Sequence, residues 1–241
     1  MATARVERLD LEEGFMLSKK FEILGQLGKG WEGEVYSIME LSTGIERAAK
    51  IFYPQRNLKN KSAKFYARKL HKLRNCSILV KYLFQDQIRY KGHDLTYLIS
   101  DYIEGDTLDD FLKRQKGKKM HPFQAIHLLH VLAKGIEEIH HLKEYHGDLH
   151  TGNIIIQRYG LNFEVKLLDL YHHGGASTEN IKEDVCNLIR IFYDCIGGKN
   201  AYSKQPQVVK DICCGLKRSN IFKKYRTAGQ LRAYLETMSW E

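Results

Sequence analysis

The sequence predicts an α+β protein in which strands dominate the first part of the chain and helices the rest. Short apolar runs typical of strands occur at residues 21–27, 48–52 and 95–99. Residues 123–142 instead repeat apolar side chains every three to four positions, which is the period of a buried helix face. A chain of 241 residues with 43% apolar content can build one large core or two small lobes.

Composition narrows the class of protein further. The net charge of +9 indicates an acidic partner or substrate without identifying it. No apolar run approaches the roughly 20 residues that a membrane helix needs, and the charged first residues do not resemble a signal peptide. The five cysteines form an odd set without metal-type spacing, which favours a reducing compartment. We therefore expect a cytoplasmic protein that makes no use of a membrane.

The most informative segment is residues 146–169. It consists of a polar loop, an apolar strand, a reversal at residues 159–160 and a second strand that leads to an acid. A hairpin of this kind would bring Asp148, Asn153 and Asp169 to one end of a two-stranded ribbon. Two carboxylates and an amide are suitable to bind a divalent cation and to accept a proton. The alternative interpretation of this segment is a polar turn beside a buried hairpin, without a catalytic role.

Three glycines, Gly28, Gly30 and Gly33, follow the first predicted strand at spacings of two and three. Glycine allows backbone N–H groups to come close to an anion, although a flexible hairpin tip has a similar composition. Strand patterns lie on both sides, where a dinucleotide-binding fold would place a helix after the glycines. Val35, two residues after the last glycine, is placed to pack on a nucleotide base.

Lys50 lies in the middle of the apolar run at residues 48–52. A lysine is rarely buried without a partner, so it either reaches solvent from an edge strand or holds phosphate oxygens under the glycine-rich loop. With the glycines, this lysine and the polar loop before Asp169, the chain resembles the protein kinase superfamily over about residues 21–236.

The resemblance implies a two-lobed, protein-kinase-like fold. Residues 21–102 would form the N-terminal lobe, a small antiparallel sheet with one basic helix, and residues 103–241 a larger, mainly helical C-terminal lobe. The weakly patterned residues 1–20 would be an N-terminal extension or a loosely packed helix. The sequences of these motifs resemble those of a small, atypical, prokaryotic-type serine/threonine protein kinase.

Carried over by position, the resemblance implies ATP and Mg²⁺ as cofactors. Lys50 would contact the α- and β-phosphates, and Asp148 would accept or orient the hydroxyl proton of the acceptor. Asn153 and Asp169 would hold Mg²⁺ against the phosphates. His150 stands where serine/threonine kinases usually have a lysine, and it would donate a hydrogen bond near the γ-phosphate. Phosphoryl transfer depends on such positioning and charge neutralisation more than on covalent help.

Residues 95–108 resemble the hinge between the lobes of a kinase. In this register Ser100 is the gatekeeper, and the backbone of Asp101 and Ile103 would form hydrogen bonds with adenine. A gatekeeper as small as serine implies a back pocket open to bulky ligands.

The strongest departure from the family lies in the basic residues 56–81, where no acid occurs from Arg47 through Gln85. Phe65, Leu70 and Leu73 predict an amphipathic helix in the place of the family's helix C. Kinases normally carry a glutamate there to pair with the lysine, but the best register places Ala67 at that position. Either an acid from elsewhere serves the lysine, or the lysine acts alone, or catalysis is impaired.

The same basic residues 56–81 offer a surface to an acidic partner or form a solvated helix face. The face carries no interleaved aromatic residues for base stacking, which argues against nucleic acid as the partner.

The segment after Asp169 also departs from the family. Only fourteen residues separate it from Asp184, which matches the helix F aspartate that anchors the catalytic loop. Gly147 replaces the arginine that reads activation-loop phosphate in many kinases, so we expect little control by phosphorylation at Ser177 or Thr178. Near the end, an arginine at position 226 resembles the one before the last kinase helix, with the acids at 179 or 183 as replacements for its usual partner.

Three functions remain open at this level. The first is a serine/threonine protein kinase, supported by the glycine-rich loop and the hinge. The second is a small-molecule kinase, because aminoglycoside and choline kinases also have the loop sequence His-Gly-Asp-Leu-His-x-x-Asn. The third is a nucleotide-binding pseudokinase scaffold, against which stands the retention of Lys50, Asp148, Asn153 and Asp169. The acceptor hydroxyl would belong to a protein in the first case and to a small molecule in the second.

Overall fold

The computed structural model describes residues 5–160, 162–171 and 174–239. The chain divides into two compact units. The N-terminal unit comprises Met1–Asn75 and Val80–Ile103, and the C-terminal unit comprises Cys76–Leu79 and Glu104–Glu241. The α+β class predicted from the sequence is confirmed, since the first unit is built on a sheet and the second mainly on helices.

The N-terminal unit contains one antiparallel six-stranded sheet with the strand order β1-β2-β3-β4-β6-β5. Its strands are β1 (Met16–Leu17), β2 (Phe21–Lys29), β3 (Gly33–Glu40), β4 (Ile45–Phe52), β5 (Tyr82–Tyr90) and β6 (His93–Asp101). Helix α1 (Lys61–Lys72) follows β4 after two short 3-10 turns.

The two faces of this sheet have different roles because successive side chains of a strand point to opposite sides. One face carries Tyr36, Ile38 and Ile51 into the core of the unit. The other carries Val35 and Lys50, which are directly opposite each other in the β3–β4 register. Strand alternation therefore puts these two candidate site residues side by side, away from the core.

The segment before β2 is part of the core, and the expectation of an extension or a loosely packed helix is wrong for residues 5–20. These residues contain strand β1 and no helix. Leu9, Leu11 and Leu17 are buried in the core, and each such leucine contributes about 2 kcal/mol by leaving water. The residues before β1 therefore cover the inner face of the sheet.

Glu34 ties this N-terminal segment to the sheet from a fully buried position. Its carboxylate accepts hydrogen bonds from the backbone N–H of Leu9 at 3.1 Å and from the hydroxyl of Tyr53 at 2.9 Å. Gln26 and Tyr36 donate to its other oxygen. Four donors satisfy a carboxylate that burial would otherwise make costly.

A second polar cluster joins the β1–β2 turn to β5 and β6. The backbone N–H of Gln87 donates to Asp86 at 2.8 Å, and the Tyr97 hydroxyl lies 3.2 Å from the same carboxylate and 2.7 Å from the Ser18 hydroxyl. Burial would raise the pKa of Asp86, but these hydrogen bonds outweigh burial and hold the pKa below its usual range.

Helix α1 forms where the sequence predicted it, but its buried face differs from the expected one. Tyr66, Ala67 and Leu70 are buried, as is Leu73 just after the helix. Phe65 is 51% exposed, so its assignment to the buried face is wrong. The buried positions recur every three to four residues, which leaves Phe65 at the edge of the stripe.

The C-terminal unit contains a small three-stranded sheet and a set of helices. The sheet has the order β7-β8-β9, with β7 (Asp106–Thr107), β8 (Ile154–Tyr159) and β9 (Asn162–Leu167). The helices are α2 (Leu108–Arg114), α3 (Pro122–His141), α4 (Thr178–Cys195), α5 (Gly198–Ala201), α6 (Gln207–Cys213), α7 (Arg218–Lys224) and α8 (Ala228–Thr237). Among the described residues, none of the helices has the length and apolarity that crossing a membrane requires.

Helix α3 is the centre of this unit and packs against α4 and α8. Its apolar stripe is buried as the sequence predicted, with Leu129, Leu132 and Ile136 nearly inaccessible to solvent. Gly135 faces Ile78, and a Cβ at this position would overlap the isoleucine side chain. Glycine is required here by close packing and not by backbone conformation.

Candidate active site

The polar loop between α3 and β8 is anchored by Asp184, which lies fully buried on α4. Its carboxylate accepts hydrogen bonds from the backbone N–H of His146 at 2.7 Å and of Gly147 at 2.8 Å. The Nε2 atom of His140 lies 3.0 Å from the same carboxylate. The structure therefore has the anchoring contact that the sequence indicated for Asp184.

His140 makes a contact with this carboxylate that was not predicted from the sequence. It is buried in the last turn of α3, and its ring approaches the carboxylate that holds the loop. Its position four residues after Ile136, on the buried stripe of the helix, is the signal that would have singled it out.

Asp148 and Asn153 are brought together within the loop. The Asn153 amide donates to the Asp148 carboxylate and to its backbone carbonyl oxygen, both at 3.0 Å. Asn153 is buried, whereas the Asp148 side chain is 56% exposed. A buried amide thus fixes the direction of an accessible carboxylate, which is a suitable arrangement for a group that meets a substrate proton.

His150 lies beside this carboxylate. Its Nδ1 accepts a hydrogen bond from the backbone N–H of Gly152 at 3.1 Å, which means that the proton of the neutral ring is on Nε2. That Nε2 lies 3.9 Å from the Asp148 carboxylate, beyond direct hydrogen-bond distance. The exposed N–H edge of His150 is therefore available to an acceptor group near Asp148.

The hairpin of β8 and β9 brings Asp169 to the same end as Asn153. Ile154 pairs with Leu167, and the backbone N–H of Leu168 donates to the carbonyl of Asn153 at 2.9 Å. Asp169 has a φ of 50°, a left-handed conformation that costs about 1–3 kcal/mol even though aspartate tolerates it better than most residues.

The neighbours of Asp169 hold it in this conformation. Leu170 is buried, and the backbone N–H of Tyr171 donates to the carbonyl of His146 at 2.8 Å. Contacts of the residues on both sides of the aspartate therefore hold its backbone in this conformation.

Gly147 has a structural reason to replace the arginine found there in many kinases. Its φ of +82° is unfavourable for any side chain, and a Cβ would lie 2.7 Å from both Tyr145 and Tyr171. The conformation that directs its N–H to Asp184 thus excludes arginine.

Asn153 and Asp169 are suitable as ligands for Mg²⁺ in the presence of phosphate. Mg²⁺ is usually held by one or two carboxylates together with substrate phosphates and water, so a larger protein cage is not needed. In the part of the chain that the structure describes, histidine, cysteine and acidic side chains form no group of three that would hold a metal on its own.

The glycine-rich loop of the N-terminal unit has two kinds of glycine. A Cβ on Gly33 would overlap the carbonyl oxygen of Ile51, so glycine is needed there for the β3–β4 contact. Gly28 and Gly30 have open space where a Cβ would lie, and neither has a positive φ. The fold of this unit does not require glycine at these two positions, which is consistent with a backbone that a phosphate approaches closely.

Lys50 has an acidic partner, and that partner is not on helix α1. Its Nζ lies 3.4 Å from Oε2 of Glu32, and the two side chains are only 14% and 17% exposed. Helix α1 presents the ring of Tyr66 to the same ammonium, at 4.7 Å from Nζ to the ring centroid. Of the three possibilities for Lys50, the structure supports an acid from elsewhere in the chain. The sequence signal for this pairing is Glu32 itself, an acid between Gly30 and Gly33 in the glycine-rich loop.

The hinge residues lie at the end of β6. The backbone N–H of Asp101 donates to the carbonyl of Lys81 at 3.1 Å, and its carboxylate pairs with Arg47 at 2.8 Å. Ser100 is half-buried, and its hydroxyl is directed at the Asp101 carbonyl. Because the Asp101 N–H is used within the sheet, its carbonyl oxygen is the part of this peptide left for a base.

Three contacts in the C-terminal unit differ from the sequence expectations or add to them. Glu179 and Glu183 pair with Arg218 at 3.1 and 2.5 Å, so their expected pairing with Arg226 is wrong. The Ser177 hydroxyl caps helix α4 by accepting the backbone N–H of Asn180 at 3.1 Å.

The fold and these residues define the class of protein. The family model that describes the protein kinase domain matches residues 21–188 of the chain. The chain therefore belongs to the protein kinase superfamily, and the kinase-like α+β fold expected from its motifs is confirmed.

Individual relatives are distant. The chain is 26% identical over 152 residues to serine/threonine-protein kinase 1 of Arabidopsis thaliana, which covers 62% of this chain and 17% of that protein. It is 28% identical over 160 residues to serine/threonine-protein kinase pkn2 of Myxococcus xanthus, covering 65% and 18%. It is also 28% identical over 139 residues to tyrosine-protein kinase SPK-1 of Girardia tigrina, covering 57% and 27%. The matched region thus spans less than a third of each of these relatives.

Proposed function

We propose that the chain is an ATP- and Mg²⁺-dependent protein kinase that phosphorylates serine or threonine hydroxyls. The observation that carries this proposal is the accessible carboxylate of Asp148, which is oriented by the buried amide of Asn153. An acceptor hydroxyl can reach such a carboxylate from solvent, and the amide keeps one oxygen fixed while the other is available.

The N-terminal unit supplies the residues proposed to bind ATP. Gly28 and Gly30 give phosphate oxygens access to the backbone, and Gly33 fixes the end of the loop on β4. Val35 offers an apolar surface to the adenine, and Lys50, its direct neighbour across the sheet, carries the positive charge for the α- and β-phosphates. The Asp101 carbonyl and the backbone of Ile103 are the proposed hydrogen-bonding groups for the base.

The C-terminal unit supplies the residues proposed to act on the acceptor and the metal. Asp148 takes or orients the proton of the acceptor hydroxyl. Asn153 and Asp169 would hold Mg²⁺, which neutralises phosphate charge when bound. His150 donates from Nε2 to an oxygen of the transferred group.

The preference for serine and threonine rests on two of the relatives described above, whose names state that specificity, while a tyrosine kinase is among the others. His150 departs from the lysine that serine/threonine kinases usually have at this position, so it adds no support for this preference. The acceptor class is therefore the part of the proposal that needs direct measurement.

The decisive experiment is incubation with Mg²⁺ and γ-labelled ATP, with and without generic protein substrates. Asp148→Asn and Asp169→Asn are the test variants, and Glu179→Gln, which removes an exposed charge on α4, is the matched control. We expect label on serine and threonine of the protein, lost in both test variants and kept in the control.

Other outcomes contradict parts of this proposal. Label on tyrosine would overturn the acceptor class. ADP release that depends on a small-molecule acceptor such as an aminoglycoside or choline, without protein label, would select a small-molecule kinase. Absence of ATP and Mg²⁺ binding would contradict both kinase hypotheses and would leave a non-catalytic scaffold as the remaining function.

We also propose that the basic helix α1 receives an acidic segment of a protein partner. Lys61, Lys64, Arg68 and Lys72 are exposed and recur at three- to four-residue intervals, so they lie along one face. Lys64→Glu together with Arg68→Glu should raise KM for an acidic peptide substrate and leave KM for ATP unchanged. An unchanged KM for the peptide would contradict this role.

The proposed location is the cytoplasm. All five cysteines have free thiols, as expected in a reducing compartment. Fractionation of cells that express the full chain tests this, and recovery outside the cytoplasm would contradict it.

A further inference from the structure

The lysine of strand β4 is held by the glycine-rich loop. The carboxylate of Glu32 and the ammonium of Lys50 are 3.4 Å apart, and both side chains are largely shielded from water. A shielded lysine needs a counter-charge to stay protonated and in place. Here the counter-charge lies on the segment that joins β2 to β3, between Gly30 and Gly33.

Helix α1 has no acid with which to do the same. The chain contains neither aspartate nor glutamate from Arg47 through Gln85, a range that includes the whole helix. The helix instead places the buried ring of Tyr66 4.7 Å from the ammonium, and Phe52 offers a second ring at 5.7 Å. Aromatic faces attract the cation but provide no charge to pair with it.

The position of Glu32 is in turn set by closure of the loop on β4. The backbone N–H of Tyr53, just after β4, donates to the carbonyl of Glu32 at 2.9 Å. Within the loop, the backbone N–H of Gly30 donates to the carbonyl of Gly33 at 2.9 Å. The Glu32 carboxylate therefore reaches Lys50 only while the loop keeps these backbone contacts.

The next residue of the loop adds a further tie. The ring of Trp31 stacks on the guanidinium of Arg56, with 3.8 Å between the guanidinium carbon and the ring centroid. Arg56 belongs to the turn that follows β4. Backbone, charge and stacking contacts thus all link the loop to β4 and the residues directly after it.

We propose that Glu32 is the positioning carboxylate for Lys50, so that closure of the glycine-rich loop aligns the lysine for phosphate. This rests on the proposed function as an ATP-dependent kinase. In this proposal, the loop that approaches the phosphates also sets the position of the Lys50 ammonium. Helix α1 then has no charge-based role in that alignment.

The first test compares Glu32→Gln and Glu32→Asp with wild type in steady-state kinetics. Misplacement of a positioning group by about 1 Å can cost on the order of 100-fold in rate, so we expect Glu32→Gln to lower kcat by about 10- to 100-fold. KM for ATP should change by less than about 3-fold, because the phosphates of ATP would keep their contacts with the loop backbone and with the metal in the variant. Glu32→Asp retains the charge and should recover part of kcat.

A second-site variant separates positioning from general stability. In Glu32→Gln combined with Tyr66→Glu, the carboxylate approaches Lys50 from helix α1, and kcat should rise at least several-fold over Glu32→Gln alone. The control is Glu40→Gln, which removes an acid from the far end of β3 that pairs with Arg47. Its kcat should equal that of wild type.

Acylation of lysines followed by mass spectrometry gives a readout that needs no turnover. Glu32→Gln should increase the labelling rate of Lys50 several-fold relative to the exposed Lys64. Equal labelling of Lys50 in the variant and wild type would overturn the pairing, as would wild-type kcat in Glu32→Gln. If wild type transfers no phosphate but Lys50 labelling still rises in the variant, the pair stands and the proposed function fails.

Discussion

Replacement of Asp184 tests whether the polar loop is held by one buried carboxylate. Asp184→Ala removes the acceptor of two backbone N–H groups, those of His146 and Gly147, and of the His140 ring. Each buried donor left without a partner costs about 1–3 kcal/mol. Because the loop can partly relax towards water, we expect a total loss of about 4 kcal/mol in the free energy of unfolding.

Such a loss is large against the total stability of a domain, which is about 5–15 kcal/mol. Asp184→Asn keeps the shape and one acceptor oxygen, so it should lose only about 2 kcal/mol. It should still lower kcat, because an amide N–H₂ group facing a backbone N–H displaces the loop that carries Asp148. Urea unfolding followed by circular dichroism measures the first effect and phosphate transfer the second.

The control for this comparison is Glu179→Gln on the same helix. Its carboxylate forms an exposed ion pair with Arg218 at 3.1 Å, and such pairs contribute about 0–1 kcal/mol. A loss below about 1 kcal/mol for Asp184→Ala would refute the anchoring role, since it would mean that water or another group satisfies the three donors.

Three further outcomes follow from the packing, the caps and the titrating groups. Gly135→Ala should destabilise by about 2 kcal/mol in urea unfolding, because overlap with Ile78 outweighs the roughly 1 kcal/mol gained in helix propensity; a stabilised variant would contradict this. The pKa of Asp86 is lowered in the fold, so its contribution to stability is present above about pH 4 and is lost as the pH falls through the folded-state pKa. Asp86→Asn should therefore weaken the protein more at pH 7 than near pH 2, and an equal loss at both pH values would count against it. Ser177→Ala with Thr178→Ala should lose about 1 kcal/mol with the cap but keep its turnover, and a large loss of turnover would indicate control by phosphorylation.

The backbone geometry that the sequence predicted well is the geometry that neighbours along the chain determine. The loop, the two strands and Asp169 lie within a short stretch, and a two-stranded hairpin leaves few arrangements for its ends. Strand alternation similarly places Val35 and Lys50 on one face once β3 and β4 pair in their register.

The contacts that the sequence did not predict are those between residues that lie far apart along the chain. Glu32 pairs with Lys50, and His140 reaches Asp184, over separations that no local period describes. The pairing of the α4 acids with Arg218 in place of Arg226 is a choice between two basic residues that composition alone does not distinguish.

The sequence by itself determined the family, the α+β order of elements and the residue types that we propose to bind phosphate and metal. These follow from local spacing, because the backbone period and the chemistry of each side chain are properties of short segments. The tertiary structure alone decided which acid serves Lys50, that Leu9 and Leu11 cover the sheet, and why Gly147 excludes arginine. Each of these depends on which segments the core brings into contact, and a buried charge or a close approach has a partner only when the whole unit has folded.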